Sequence, residues 1–242
     1  MKGVVLAGGL GTRLRPMTEV VNKHVLDLYD EPMIHFPVRT LARAGIVDLV
    51  VVVGRYGDQV KEVLGTGSAL GVSIVYAEQE GEGGIADALA QARPEVGDGR
   101  VVVILGDQVY QDDLRPYVDA FRSQPAGARI LLKQVEDASR FGVASVAGDR
   151  ITRIDEKPDD PPSDLAVTGC YMYDAGVFGI VEGLEPSARG ELEITDVNNA
   201  YIARGEMAFD ILPGWWADAG THASKLKASI LVALTKGVTF HA

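Results

Sequence analysis

The amino-acid sequence predicts an α/β protein of three layers, with helices on both faces of a mainly parallel mixed sheet and an elaborated second half. Three observations carry that reading. Apolar runs rich in β-branched residues alternate with segments of helical apolar spacing through about the first 110 residues. These runs are continuously apolar rather than alternating, as strands covered on both faces must be. The chain has 242 residues, 47% of them hydrophobic, and no linker divides it, which fits one domain over residues 1–242.

The elements follow in order. Lys2 to Ala7 reads as a buried strand that runs straight into a glycine turn. Met33 to Ala44 sets Ile34, Val38, Leu41 and Ala42 at helical spacing and is closed by Gly45. Val47 to Val53 is a strand, Tyr56 to Leu64 a helix and Val72 to Ala77 a strand. Ile85 to Arg93 is a helix and Val101 to Leu105 a strand. In the second half, Ile130 to Val135, Gly142 to Val146, Arg150 to Asp155 and Ala166 to Tyr173 are expected strands. Asp174 to Val181 is expected to be a helix capped by Asp174, and Thr195 to Ala203 one capped by Thr195. Ala208 to Leu212 reads as a strand and His222 to Leu234 as a closing helix.

Composition excludes several classes. No run approaches the roughly 18 apolar residues of a membrane span. The apolar start is too short for a signal peptide. The single cysteine, Cys170, permits no internal disulfide and reads as a buried strand residue, in keeping with a cytoplasmic protein. A net charge of −11 argues against nucleic-acid and anionic-membrane partners. It does not exclude a small anionic substrate, because distant surface charges are screened beyond about 8 Å. His24, His35, His222 and His241 show no metal-ligand spacing.

The turn Leu6-Ala7-Gly8-Gly9-Leu10-Gly11-Thr12-Arg13-Leu14 follows a strand and precedes a helical turn. Glycines there let backbone N–H groups approach an anion, and an adjacent arginine matches phosphate geometry. Two familiar motifs fail. The dinucleotide fingerprint needs a third glycine where Leu14 stands, which disfavours a nicotinamide-dependent dehydrogenase. The P-loop needs Gly-Lys-Ser/Thr, and here Thr12 is followed by Arg13.

The extended run Leu6 to Pro16 resembles the signature of sugar-1-phosphate nucleotidyltransferases. Further blocks are similar in the same order: Asn22-Lys23, Leu105-Gly106-Asp107, Asp155-Glu156-Lys157-Pro158, Ala166-Val167-Thr168-Gly169 and Trp216-Ala217-Asp218-Ala219-Gly220-Thr221. Pro186 to Asp196 resembles the glucose-1-phosphate thymidylyltransferase branch. The resemblance implies a Rossmann-like nucleotidyltransferase fold, with a nucleotide-binding half over about residues 1–110 and a sugar-phosphate half over about 111–242. It also implies nucleotide-sugar synthesis: dTTP and glucose 1-phosphate giving dTDP-glucose and pyrophosphate, with Mg²⁺ as cofactor.

Site residues carry over by position. The resemblance implies that Arg13, Lys23 and Lys157 are catalytic, neutralising the triphosphate and guiding the sugar phosphate. Leu6, Gly8, Gly9, Gly11, Thr12, His24, Gln79, Gly84 and Ile85 are implied nucleotide contacts. Gln108, Gly142, Glu156 and Val167 are implied on the sugar-phosphate side, and Asp107 and Asp218 as ligands of Mg²⁺. Both aspartates are expected to converge at the carboxyl edge of the sheet. Arg189 is expected to organise Glu191 and Glu193. The chain departs from the branch at His24, usually glutamine, and at Gln108, usually asparagine. It resembles a short form without the C-terminal helical extension. Members of the family usually assemble, so a homo-oligomer is implied, without the tetramer contacts that those helices supply. Two alternatives stay open: the same chemistry with UTP or another sugar 1-phosphate, and a non-catalytic nucleotide-sugar sensor.

Overall fold

The computed structural model describes residues 1–239, and His241 lies outside them. The first half runs β1 (Lys2–Ala7), β2 (Asp27–Leu28), β3 (Glu31–Pro32), α1 (His35–Arg43), β4 (Asp48–Val53), α2 (Gly57–Leu64), β5 (Ser73–Glu78), α3 (Ile85–Gln91), α4 (Arg93–Val96), β6 (Val101–Leu105) and β7 (Gln108–Tyr110). The second half runs α5 (Arg115–Ser123), β8 (Ala128–Gln134), β9 (Gly142–Ala147), β10 (Arg150–Glu156), β11 (Leu165–Tyr173), α6 (Val177–Glu182), α7 (Ile194–Ala203), β12 (Met207–Ile211), β13 (Trp216–Asp218) and α8 (His222–Thr235).

The continuously apolar strands form the parallel centre of the sheet, in the order β6-β1-β4-β5. Both faces are covered. Val4, Leu6, Val50, Val52, Val101 and Val103 pack toward α3, α6 and α7. Their neighbours Val5, Ala7, Val51, Val53, Val102 and Ile104 pack toward α1, α2 and α5. Period-two alternation between two apolar clusters explains why no polar residue interrupts these strands. Each Val, Leu or Ile among them contributes roughly 1.5–3 kcal/mol by burial.

The second half joins this sheet through β11, which lies antiparallel to β6 over Cys170–Tyr173. Its other edge carries β8, and β12 extends the sheet in parallel beyond β8. Ala166 pairs with Lys133 of β8 and with Val143 of β9, so β9 shares the β6 edge of β11. The sheet therefore forks between the end of β6 and the start of β9. Register along β11 shifts between Val167 and Tyr171, at the mouth of that fork.

Three details differ from the sequence expectations. The helix expected from Asp174 begins at Val177. Asp174 is engaged elsewhere, accepting bonds from Gly127 N–H, Gly176 N–H and the Tyr201 hydroxyl. Thr195 lies inside α7, whose cap position is Glu193, and its hydroxyl donates to Glu156 instead. The helix expected over Ile85 to Arg93 ends at Gln91 and restarts as α4, with Pro94 in its first turn. The closing helix has a capping box, in which the Thr221 and Ser224 side chains each bond the other's backbone N–H. No helix among the described residues is long and apolar enough to cross a membrane.

Candidate active site

At the fork lies a cavity of about 380 Å³, within the range of small-molecule sites. The glycine turn after β1 forms one wall. Gly11 sits at φ 66°, a backbone region open to glycine, and the Gly11 carbonyl accepts Leu14 N–H and the Thr18 hydroxyl to hold the turn. Leu6, Gly8, Gly9, Gly11, Thr12 and Arg13 line this side with Gln79, Gly84 and Ile85. The opposite wall contains Gln108, Gly142, Glu156, Lys157 and Val167, while Lys23, His24, Asp107 and Asp218 lie between. Every residue to which the resemblance assigns a substrate or metal contact thus borders one cavity. Sequence reasoning passed over Arg140, Phe141, Tyr171 and Asn198, which also line it. Arg140 had a visible signal, a cation two residues before Gly142. It has no carboxylate within 4 Å among the described residues.

Asp107 follows the carboxyl end of β6, as expected. Asp218 does not come from the main sheet. It arrives on β13, which pairs antiparallel with β7 and sets Asp218 opposite Gln108. Ala219 N–H donates to the Asp107 carbonyl at 2.9 Å, locking the two segments together. A methyl group on Gly220 would lie 2.7 Å from Asp218 Oδ1, 2.9 Å from Arg13 Nη2 and 3.4 Å from Asp107 Oδ2. Two carboxylates and a guanidinium therefore converge on a space that only glycine leaves open.

The carboxylates are electrostatically unlike. Burial raises both. At Asp107 this is outweighed by Lys23, whose Nζ lies 2.5 Å from Oδ2, and by the Gln108 amide, so its carboxyl falls well below the usual range. At Asp218 burial and the Asp107 charge prevail over Lys23, the Gly220 N–H and Arg13, so its carboxyl is raised. Two hard oxygen donors that repel each other suit a divalent cation, and Mg²⁺ needs few protein carboxylates when phosphates and waters complete its shell. The described residues contain no group of three or more His, Cys, Asp or Glu that would hold a metal by themselves.

On the opposite wall Glu156 stays ionised: burial raises its carboxyl, but the Thr195 hydroxyl and Lys157 bring it below the ordinary value. Lys157 Nζ lies 3.0 Å from Glu156, and Arg189 reaches both Glu156 and Glu193. Lys157 itself adopts φ 45°, a costly conformation for a residue with a side chain, with its N–H fixed on the Phe141 carbonyl.

Two recognition groups are fixed by their partners. Gln79 Nε2 donates to the Gly84 carbonyl and to Asp87, which leaves Oε1 as the end facing Gly8. The Asn22 side-chain oxygen Oδ1 accepts His24 N–H and contacts Nδ1, so Nδ1 carries the proton and Nε2 is an acceptor beside Gly106. Burial and the neighbouring Lys23 lower His24 from 6.5 to about 3. The unfolded chain then binds a proton that the folded one refuses, so stability is lost as pH falls below 6.5. Between pH 7.5 and 5 the expected loss is about 2 kcal/mol. Thermal unfolding of wild type and His24→Gln checks it: the variant should lose less stability over that interval, and equal losses would refute the assignment.

A family model described as nucleotidyl transferase matches residues 2–233. The chain belongs to the nucleotidyl transferase family. It is 40% identical to a low-salt glycan biosynthesis nucleotidyltransferase of Haloferax volcanii over 96% of its length, and spans 66% of that protein. It is 40% identical to a glucose-1-phosphate thymidylyltransferase of Neisseria meningitidis over 98% of its length, spanning 84% of that protein. A solved Bacillus anthracis structure, provisionally named a glucose-1-phosphate thymidylyltransferase, superposes with a TM-score of 0.92 and 47% identity, covering 100% of this chain and 98% of that one. A UDP-glucose pyrophosphorylase structure shares the fold at a TM-score of 0.86 and 23% identity, covering 97% of this chain and 98% of that one.

Proposed function

We propose that the chain transfers a thymidylyl group from dTTP to glucose 1-phosphate, releasing pyrophosphate. The observation that carries this reading is the convergence of Arg13, Lys23 and Lys157 with the Asp107–Asp218 pair in one cavity, between a glycine turn and the wall that carries Gly142 and Glu156. The names of the Neisseria relative and the Bacillus neighbour support it.

The reaction joins two anions. An oxygen of the sugar phosphate bonds to the α-phosphorus, the bond to the β-phosphate oxygen breaks, and pyrophosphate carries that electron pair away. The nucleophile is already ionised, so positioning and charge neutralisation suffice. The glycine-turn amides cradle the triphosphate, and Arg13 meets the charge that grows on the α-phosphate and pyrophosphate. Lys23 exchanges its Asp107 partner for departing phosphate oxygens. Lys157 steers the sugar phosphate, while Glu156 accepts sugar hydroxyls. Asp107 and Asp218 would hold Mg²⁺, which supplies Lewis-acid neutralisation of phosphate oxygens. Cys170 plays no part, since burial raises its thiol to about 12.

The free Oε1 of Gln79 requires an N–H on the base. Thymine and uracil present one where cytosine presents a lone pair, so the amide separates these two from cytosine without sensing the 5-methyl group. UTP is for that reason the specific second reading.

Pyrophosphate release with Mg²⁺, pairing dTTP or UTP with glucose 1-phosphate or N-acetylglucosamine 1-phosphate, tests the proposal. Turnover with dTTP and glucose 1-phosphate is expected to exceed that of every other pair. A preference for another pair corrects the substrate. Silence in all four, with nucleotide still binding, would replace catalysis by a sensor role.

A further inference from the structure

The branch pattern places residue 108 on the sugar, yet the Gln108 side chain is turned elsewhere. It is 1% exposed and engaged at both ends of its amide. Trp216 Nε1–H donates to Gln108 Oε1 at 2.7 Å, and Gln108 Nε2 donates to Asp107 Oδ1 at 2.9 Å. The polarity of this chain is not a matter of choice. An indole N–H can only donate, so it must meet the amide oxygen, and the amide nitrogen must then face Asp107.

The fold is arranged around that side chain. A methyl group on Gly169, at the register shift of β11, would lie 2.7 Å from both Gln108 Cγ and Cδ. The amide therefore passes over a strand position with no side chain. The indole is anchored too, its ring centroid 5.0 Å from that of Phe141. Trp216 and Asp218 stand two residues apart on β13, on one face of the strand. The strand that delivers one carboxylate thus also holds the other.

We propose that Trp216 and Gln108 are positioning residues that fix the rotation of the Asp107 carboxylate for the divalent cation, and that Gln108 is not a sugar contact. Lys23 holds Oδ2 and can leave when phosphate arrives, whereas the Gln108 bond to Oδ1 is internal and stays. Partners behind a metal ligand typically change metal affinity by 10–100-fold. The proposal rests on the metal reading given above, and its test separates the two.

Mn²⁺ binding to the protein with dTTP, without a sugar phosphate so that nothing turns over, is measured by water-proton relaxation for wild type, Trp216→Phe, Gln108→Met and the double variant. Trp216→Phe is expected to weaken Mn²⁺ about 10-fold and Gln108→Met about 10–100-fold. The double variant should be no weaker than Gln108→Met, because the indole acts only through the amide. In steady-state turnover, the KM for glucose 1-phosphate should stay within about twofold throughout while the Mg²⁺ requirement rises. Unchanged Mn²⁺ affinity in the single variants, or effects that multiply in the double, would overturn the relay while leaving the metal site standing. A raised sugar KM with unchanged Mn²⁺ affinity would return Gln108 to the sugar. Failure of wild type itself to bind Mn²⁺ would overturn the metal reading as well. A spectroscopic measurement completes the test. With ¹⁵N-labelled tryptophan, assigned through Trp215→Phe, the Trp216 indole N–H should exchange slowly with water and shift in Asp107→Asn; an unmoved signal counts against the chain.

Discussion

Asp107→Ala is expected to abolish turnover together with its Mg²⁺ dependence, a loss of at least about 10³-fold in kcat. Asp107 is the meeting point of the site. Lys23 binds one of its oxygens, Gln108 the other, and its carbonyl accepts Ala219 N–H. With side chains only 13% and 7% exposed, Lys23 and Asp107 form a largely buried pair, and removing one partner of such a pair typically costs 3–5 kcal/mol. The alanine variant is therefore expected to be less stable as well as inactive. Asp107→Asn limits the structural part of the loss. It keeps the side chain's shape and one oxygen for the Gln108 amide, but withdraws the charge that Lys23 and a cation need. Mg²⁺-stimulated turnover within about tenfold of wild type in a folded Asp107→Asn protein would show that the metal sits elsewhere.

Arg13→Ala is expected to lower kcat by about 10²–10³-fold with little change in unfolding temperature. Arg13 is exposed and has no carboxylate within 4 Å among the described residues, so its removal strands no buried charge. Its guanidinium nitrogen nevertheless lies where the glycine turn, Gly220 and the aspartates converge. Such a group stabilises charge that develops during the reaction, so the loss should appear in kcat more than in the KM for dTTP. Arg13→Lys should recover part of the activity, because a point charge replaces the fork without its two-pronged geometry. A change in kcat under threefold for Arg13→Ala would remove Arg13 from the chemistry.

The parallel centre of the fold was legible because its signal is local. Each of β1, β4 and β6 contains five consecutive apolar or small residues, preceded by one polar residue in β1 and β4, which only a doubly covered strand requires. The helix α5 was readable too, and was passed over. Leu114, Val118 and Phe121 repeat at helical spacing beside Pro116, and all three are buried. The pair β7 and β13 was not readable. Three-residue strands hold no period, and their partners are about 108 positions apart. For the same reason the resemblance could name Asp107 and Asp218 but not explain their meeting. It also placed Gln108 by position alone, whereas the side chain's direction is set by Trp216 and by a missing side chain at residue 169. Asp174 misled in a different way. A capping residue looks the same in sequence whether it serves the nearest helix or, as here, a neighbouring loop and a tyrosine.

Gly106, Gly169 and Gly220 have a consequence for how such a site is mapped. At each, an added methyl would come within 2.6–2.7 Å of His24, Gln108 or Asp218. These three contribute no functional group, and truncation scanning, which works by deleting atoms, passes over them in silence. Their contribution shows only when atoms are added. Glycine-to-alanine changes there are expected to cost about 1–3 kcal/mol of stability and to lower turnover by crowding these neighbours, so the site's outline is better traced by filling space than by emptying it.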